Sequence, residues 1–182
     1  RLLLDGQDIA ADPRPWQRHI GYVPQSIYLI DDTLRRNIAL GVPDEDIDER
    51  RLRLAAEKAQ IADFIDQLPE GFATKVGEHG VRISGGQRQR IGIARALYHN
   101  PSVLIFDEAV SALDNETALN VQRAIDLNRR GRTIIVISHR LNLLRSCDSL
   151  AVMSNGRLLA HGPFAEMARS RPELQSLMAL EG

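Results

Sequence analysis

Short apolar runs flanked by turn residues recur along the chain and predict β-strands. The runs cover residues 2–4, 20–23, 103–106, 133–137 and 150–153, and residues 157–161 would add a last strand. Most of them are continuous rather than alternating, as expected where helices cover both faces of a parallel sheet. The pattern therefore predicts an α/β fold with a mostly parallel sheet flanked by helices.

The stretch between Thr33 and Leu68 has a different pattern. No strand-like run occurs in it, and apolar residues recur at the spacing of a helix. It predicts an α-helical subdomain inserted into the sheet-bearing core. The helically spaced residues are Ile47, Leu54, Ala55, Ala59, Ala62 and Ile65.

Beyond the last strand, Pro163 and Pro172 each stand where a terminal helix could begin.

The composition fits one globular domain and gives no sign of a nucleic-acid partner. The 182 residues are 43% hydrophobic and 26% charged, which allows a sizeable core. The formal net charge is -1 and opposite charges are interspersed, so no basic stripe predicts binding to nucleic acid or a membrane surface. The apolar runs fall far short of the roughly 20 residues that span a bilayer. Cys147, the single cysteine, favours a reducing compartment such as the cytosol.

The strongest motif is Ser84, Gly85, Gly86 and Gln87 at the start of a long predicted helix. Glycines let the backbone approach an anion closely, and the unpaired amides and positive dipole end of a helix favour negative charge. The Ser84 hydroxyl would be an additional donor. Serine is also a common helix N-cap, so this motif alone leaves both phosphate binding and plain capping open.

Two adjacent carboxylates, Asp107 and Glu108, follow the apolar run at residues 103–106. Ligands of open parallel sheets bind at the carboxyl ends of the strands, so these acids lie where chemistry is expected. Asp107 could hold Mg²⁺ directly or through water, because this ion prefers oxygen ligands and keeps much of its hydration shell. Glu108 could then polarise an attacking water. In the alternative interpretation, the two acids only cap the next helix.

The order and spacing of these motifs resemble the ABC ATPase family, from residue 1 to about residue 162. Further matching segments are residues 21–25, 111–114 and 137–140. The resemblance implies a particular role for each matching residue. It places a signature motif at Ser84, Gly85, Gly86 and Gln87, the Walker B magnesium ligand at Asp107, the catalytic glutamate at Glu108, a Q-loop glutamine at Gln25, a D-loop at Ser111 and Asp114, and a switch histidine at His139.

Three of the implied roles can be weighed against plainer ones. Gln25 could be a loop amide, but its carbonyl oxygen could be a ligand to Mg²⁺ or to the attacking water. His139 could be a surface histidine, or it could donate a hydrogen bond to the γ-phosphate and sense its loss. Glu78 lies in a Gly-Glu-His-Gly segment that could be a simple turn, but it resembles the exporter segment that contacts the transmembrane coupling helices.

The resemblance also implies cofactors, partners and a domain organisation. ATP and Mg²⁺ would be bound by a P-loop NTPase-like core at residues 1–32 and 100–182, with a helical subdomain at residues 33–99. The partners would be the transmembrane domains of the same transporter and a second ATP-binding domain, in a homodimer or a pseudo-dimer. The domain would lie at the cytoplasmic face of the inner (plasma) membrane.

The sequence contains no P-loop. The Gly-x-x-x-x-Gly-Lys-Ser/Thr pattern cradles phosphates with its amides and its lysine, but neither Lys58 nor Lys75, the only lysines, follows a glycine. Because the family places the signature of one subunit over the P-loop nucleotide of another, this chain would hold complementary halves of two composite sites. We expect the N-terminal strands and the P-loop to be missing because the chain is a truncated piece of a longer exporter. We also expect the chain alone to be inactive.

The sequence leaves three functional interpretations to distinguish. The first is an exporter motor, because residues 21–25, 31–39 and 114–117 look most similar to flippases of lipid-linked oligosaccharides and related lipid or protein exporters. The second is a chromosome-maintenance or DNA-repair ATPase, which the short, heptad-free stretch between Gln25 and Ser84 disfavours. The third is a non-catalytic regulatory subunit.

Two residues depart from the usual pattern of the family. Ile83 replaces leucine and keeps the apolar volume, and Val110 replaces threonine and keeps the β-branching.

Overall fold

The computed structural model describes residues 3–4, 6–8, 10, 12–77, 80–109, 115–138, 140 and 144–170. The chain divides into two compact units, residues 1–135 and 136–182. The first unit opens with a short antiparallel hairpin of β1 (Leu3–Leu4) and β2 (Gln7–Asp8). Gly6 lies between these strands with φ at 81°, a value that favours glycine. The strand expected at the beginning of the sequence is therefore present at Leu3 and Leu4, and Leu2 lies outside the described residues.

The elements that follow alternate between strands and helices, as an α/β fold requires. Their order is α1 (Arg14–Gln17), β3 (Ile20–Val23), β4 (Asp32–Thr33), α2 (Leu34–Ile38), a 3₁₀ helix (Asp44–Asp46), α3 (Glu49–Lys58), α4 (Ala62–Asp66), a 3₁₀ helix (Gly71–Ala73), β5 (Lys75–Val76), α5 (Gly85–Tyr98), β6 (Val103–Asp107), α6 (Asn115–Leu127) and β7 (Thr133–Ile137).

The sheet that carries the predicted acids contains β3, β6 and β7 in that spatial order. β3 and β6 are parallel and in register, with Tyr22 opposite Ile105. Parallel neighbours need a long crossover, and the helices between β3 and β6 provide it. The strands predicted at residues 20–23, 103–106 and 133–137 are confirmed, and β6 continues by one residue to include Asp107.

Helix α5 packs against β3, and a glycine makes this close packing possible. A Cβ atom at Gly21 would lie 2.6 Å from the carbonyl oxygen of Ala96 and 2.9 Å from Cγ of Pro101. The backbone oxygen cannot move without shifting α5, so a larger residue would push the strand away from the helix. The next residue, Tyr22, points to the opposite face of the sheet and is 51% exposed.

Helices form in the stretch between Thr33 and Leu68, as its pattern predicts, but not all of its helically spaced apolar residues are buried. Leu54 is 47% exposed, whereas Leu52 is fully buried. The buried face of α3 follows Leu52, Ala55 and Ala56, which is the three- and four-residue spacing of one helix face. Ile47 is buried as well, but it lies directly after a 3₁₀ helix and not inside a helix.

The short antiparallel pair β4 and β5 has no counterpart in the predicted elements. Asp32 pairs with Val76 and Thr33 pairs with Lys75. Two residues are too few to produce a periodic apolar pattern, so this pairing is not visible in the sequence. β4 lies just before α2 and β5 lies just after the second 3₁₀ helix. Their pairing therefore brings the two ends of this helical region together.

The second unit contains the antiparallel strands β8 (Leu150–Ser154) and β9 (Arg157–Gly162), followed by α7 (Phe164–Ser170). Its core is built around Leu144, Leu150 and Met167. The predicted strands at residues 150–153 and 157–161 and the helix after Pro163 are confirmed. The helix expected at Pro172 lies outside the described residues. In the part of the chain that the structure describes, no helix has the length and apolar character needed to cross a bilayer.

Candidate functional site

The carboxyl ends of β3 and β6 lie side by side, because the two strands are parallel and in register up to Val23 and Phe106. Gln25 follows the end of β3, and Asp107 and Glu108 end and follow β6. The Gln25 side-chain amide Nε2 donates a hydrogen bond to Oε2 of Glu108 over 2.9 Å. Three predicted site residues from distant parts of the sequence therefore lie at one edge of the sheet.

The backbone at Glu108 adopts an unusual conformation. Its φ angle is 48°, in the left-handed region that residues other than glycine seldom adopt. Such a conformation costs on the order of 1–3 kcal/mol and is enriched at functional sites. The chain thus turns immediately after β6, and this turn aims the Glu108 side chain toward Gln25 of the neighbouring strand end.

Asp107 has a partner that the sequence did not reveal. The Tyr22 hydroxyl donates a hydrogen bond to Oδ2 of Asp107 over 2.7 Å. This hydrogen bond to the carboxylate, with smaller contributions from burial and from the carboxylate charge, raises the pKa of Tyr22 above its ordinary value. The phenol therefore stays protonated as a donor near neutral pH. Only the register of β3 against β6 brings these two side chains together.

These contacts bear on the alternative in which the two acids only cap a helix. The next described helix, α6, begins at Asn115, well beyond Glu108. Asp107 accepts a hydrogen bond from the side chain of Tyr22, within β3, and Glu108 accepts one from the side chain of Gln25, just after β3. The arrangement favours a site at the strand ends over simple capping.

The donor set at this edge suits Mg²⁺. Within the described ranges, no group of three or more His, Cys, Asp and Glu side chains is arranged to hold a metal ion. Mg²⁺ does not require such a group, because it keeps several waters and binds through one or two carboxylates together with substrate phosphates. The Asp107 carboxylate and the Gln25 amide, at adjoining strand ends, are oxygen donors of this kind. The residues present therefore fit the ion.

Ser84, Gly85, Gly86 and Gln87 lie at the start of α5, as predicted, and form a capping box. The Ser84 hydroxyl oxygen accepts from the Gln87 backbone N–H at 3.2 Å, and the Gln87 side-chain oxygen accepts from the Ser84 N–H at 2.9 Å. The plain capping role is therefore real. It does not compete with phosphate binding, because the serine hydroxyl keeps its proton available for donation.

The surface in front of this helix start is open. Gly85 is exposed, and a Cβ atom built on it would meet no heavy atom within 4 Å. Gly86, by contrast, is buried against the fold. An anion could thus approach the first turn of α5 from the Gly85 side, where helix amides and the positive dipole end favour negative charge.

The segment that follows Gln25 is tied to α5 by two side chains that sequence reasoning missed. Asn37 is fully buried; its Oδ1 accepts from the Ile30 N–H at 2.9 Å, and its Nδ2 donates to the carbonyl oxygens of Ile30 and Thr33 at 3.0 Å each. Arg95, on α5, donates to the carbonyl oxygens of Asn37 at 2.8 Å and Tyr28 at 3.0 Å. Burial lowers the pKa of Arg95.

Four predicted site residues cannot be placed. Glu78, Ser111, Asp114 and His139 lie outside the described residues. Their roles stay predictions based on the resemblance.

The parallel sheet, its crossover helices and the acids at the strand ends define the class: a P-loop NTPase-like α/β fold. The profile described as "ABC transporter" matches residues 1–111, which is more than half of the chain. The ATP-dependent lipid A-core flippase of Saccharophagus degradans is 51% identical over 162 residues, covering 88% of this chain and 27% of the flippase. The chain belongs to the ABC transporter family.

Further relatives point to exporters. The ATP-dependent lipid A-core flippase of Bordetella pertussis is 40% identical over 188 residues, covering 99% of this chain and 30% of the flippase. A solved structure of a bacterial Atm1-family ABC exporter with ATP bound superposes with a TM-score of 0.87 at 38% identity, covering 98% of this chain and 31% of the exporter chain. The chain thus corresponds to an exporter-type ATP-binding domain and spans less than a third of the length of these relatives.

Proposed function

We propose that this chain forms most of the ATP-hydrolysing motor domain of a membrane exporter or flippase. The observation that carries the proposal is the Gln25–Glu108 hydrogen bond beside Asp107, at the carboxyl ends of two adjacent parallel strands. Family membership and the likeness to an ATP-bound exporter support the same assignment. The activity, substrates and partners of the whole protein are part of this proposal.

In the proposed reaction, Glu108 is the general base. The oxygen of a water molecule bonds to the γ-phosphorus while the bond from that phosphorus to the bridging oxygen breaks, leaving ADP and inorganic phosphate. Glu108 polarises the water and accepts its proton. Oε2 of Glu108 accepts from Gln25, and because a carboxylate can accept several hydrogen bonds, this contact and a bond from the attacking water are compatible.

Asp107 and Gln25 would hold Mg²⁺, which when bound neutralises charge on the phosphate oxygens. The orientation of the Gln25 side chain is set partly by the hydrogen bond that its amide nitrogen donates to Glu108. Its assigned role as an oxygen ligand is compatible with this bond, because the amide nitrogen and the carbonyl oxygen are different atoms.

The remaining predicted residues complete a composite site in this proposal. Ser84, Gly85, Gly86 and Gln87 would contact the nucleotide of a second ATP-binding domain, consistent with the open surface at Gly85. Residues 1–32 and 100–182 would be the RecA-like core, and residues 33–99 the helical subdomain. The D-loop pair Ser111 and Asp114, the switch His139 and the coupling residue Glu78 keep the roles that the family resemblance implies.

The complete transporter is expected to hydrolyse ATP in a Mg²⁺-dependent manner, whereas the isolated 182-residue chain is expected to have no turnover. The physical reason is that this sequence contains no P-loop to cradle the phosphates. Phosphate release from both purified proteins, measured with and without EDTA, checks this expectation. Turnover by the isolated chain would contradict its assigned inactivity, and a complete transporter without ATPase activity would contradict the proposed function.

We propose that the transported molecule is a lipid or a lipid-linked glycan. The transmembrane domains would move it, and the ATP-binding domain would contact them at the cytoplasmic face of the membrane. The support is the resemblance of the sequence and the flippases among the relatives. In proteoliposomes, ATP should accelerate the movement of a fluorescent lipid-linked oligosaccharide between leaflets, and that lipid should stimulate ATP turnover. Stimulation by soluble amphiphilic drugs with no effect of the lipid would point to another substrate class.

A further inference from the structure

We propose that Tyr22 is a positioning residue for the magnesium site, acting through its hydrogen bond to Asp107. The inference rests on the proposed function, because it concerns the residue assigned to the metal. It adds a residue that neither the sequence motifs nor the family resemblance singled out.

The strand register makes the contact possible. Tyr22 is opposite Ile105 in the parallel pair, so both side chains emerge on the same face of the sheet. Asp107 lies two residues beyond Ile105 and therefore emerges on that face as well. The long tyrosine side chain reaches along the sheet to the carboxylate, where the donor and acceptor atoms are 2.7 Å apart.

This hydrogen bond restricts the orientation of the carboxylate. An ionised carboxylate only accepts hydrogen bonds, and a bond to one of its two oxygens limits rotation of the whole group. A bond of 2.7 Å between a hydroxyl and a carboxylate is in the range of strong, charge-assisted hydrogen bonds. Residues that hydrogen-bond a ligating carboxylate commonly affect how well the metal binds.

The position of Tyr22 in the chain supports the same role. Gln25, the other residue assigned to the ion, follows the same strand, and Val23 between them is fully buried. Strand β3 is held closely against α5 at Gly21. A rigid strand thus presents both the phenol that orients Asp107 and the amide that contacts Glu108, which fixes the relative positions of the two strand ends.

The test is the dependence of nucleotide affinity on Mg²⁺ in the complete transporter carrying Tyr22→Phe. This change removes one oxygen atom from a half-exposed side chain, so we expect the fold to persist. The affinity for a non-hydrolysable ATP analogue is measured in Mg²⁺ and again in EDTA. We expect the ratio of the two affinities to fall on the order of 10-fold, with the affinity in EDTA unchanged.

Tyr28→Phe is the matched control. The Tyr28 side chain is 76% exposed, and it is the main-chain oxygen of this residue that accepts from Arg95, so loss of the phenol oxygen leaves that bond intact. We expect this variant to keep the affinity ratio of the unaltered protein. An equal change in both conditions for Tyr22→Phe would show a merely structural role and overturn the inference.

A double variant tests whether Tyr22 acts through Asp107. Asp107→Ala alone should reduce the affinity ratio, and adding Tyr22→Phe should cause no further reduction, because the acceptor is already gone. Additive losses would overturn the inference while leaving the proposed function intact. Failure of the unaltered protein to bind the nucleotide in either condition would instead contradict the proposed function, and with it this inference.

Discussion

Replacing Glu108 by glutamine in the complete transporter is expected to reduce ATP turnover by about 10²- to 10⁴-fold, the contribution typical of a general base. The substituted amide has nearly the same size and can still accept the hydrogen bond from Nε2 of Gln25, but it cannot take a proton from water. Nucleotide binding should therefore persist while hydrolysis becomes much slower. Phosphate release measures the first quantity, and titration with a fluorescent ATP analogue measures the second.

Glu45→Gln provides the matched control for this experiment. Glu45 lies on the exposed 3₁₀ helix at Asp44–Asp46, so the change removes the same charge away from the strand ends. We expect it to leave turnover and binding unaltered. If Glu108→Gln kept the turnover of the unaltered protein, Glu108 would lose its role as the base; if nucleotide binding were lost together with turnover, the residue would have a structural role instead.

The strand ends could be located from the sequence because the information there is local. A continuous apolar run followed by Asp107 and Glu108 indicates both the strand and the edge at which its acids emerge. The helix start at Ser84 is likewise predicted by adjacent residues, and the structure confirms the long helix that follows. The parallel α/β fold follows from the same continuous runs. Each of these predictions needs only short-range patterns.

The contacts within the site could not be predicted, because they depend on which residues face one another across the fold. Nothing in the sequence near Tyr22 shows that its hydroxyl meets Asp107, since that depends on the register between β3 and β6. The two-residue pair β4 and β5 is too short to give a pattern. Leu54 satisfies helical spacing but is exposed, because neighbouring apolar residues of α3 satisfy that spacing almost equally well and Leu52 takes the buried position.

The contacts of Asn37 could not be predicted from the sequence either, and they matter for the stability of the domain. A polar residue on a short helix would be expected at the surface, but Asn37 is fully buried. Its side chain supplies the hydrogen bonds that an irregular backbone segment cannot make for itself. Arg95 binds the main-chain oxygens of Asn37 and Tyr28, so the segment between Gln25 and α2 is joined to the same helix that begins with the signature motif.

Asn37→Ala is accordingly expected to destabilise the domain by about 2–4 kcal/mol, because part-buried backbone groups, among them the Ile30 N–H, would lose hydrogen bonds at roughly 1–3 kcal/mol each. The Ile30 N–H, which donates to Oδ1 of Asn37, reports this directly. Its amide hydrogen exchange in the complete transporter should accelerate by about 10²-fold, given that 1.4 kcal/mol corresponds to about tenfold in an equilibrium constant. Unchanged exchange at Ile30 would contradict the prediction.

Asn37→Asp separates the two halves of this network. The carboxylate keeps an acceptor for the Ile30 N–H but removes the donor that serves the carbonyl oxygens of Ile30 and Thr33. Protection of the Ile30 amide should therefore be partly retained, and Arg95, whose Nη2 donates to Oδ1 of Asn37 over 3.4 Å, would pair with the new charge. The stability of the domain should still fall, because the second carboxylate oxygen would face the carbonyl oxygens of Ile30 and Thr33 instead of donating to them. If this segment also fixes Gln25, both substitutions should lower ATP turnover while leaving the capping box at Ser84, which is formed within α5 itself, intact.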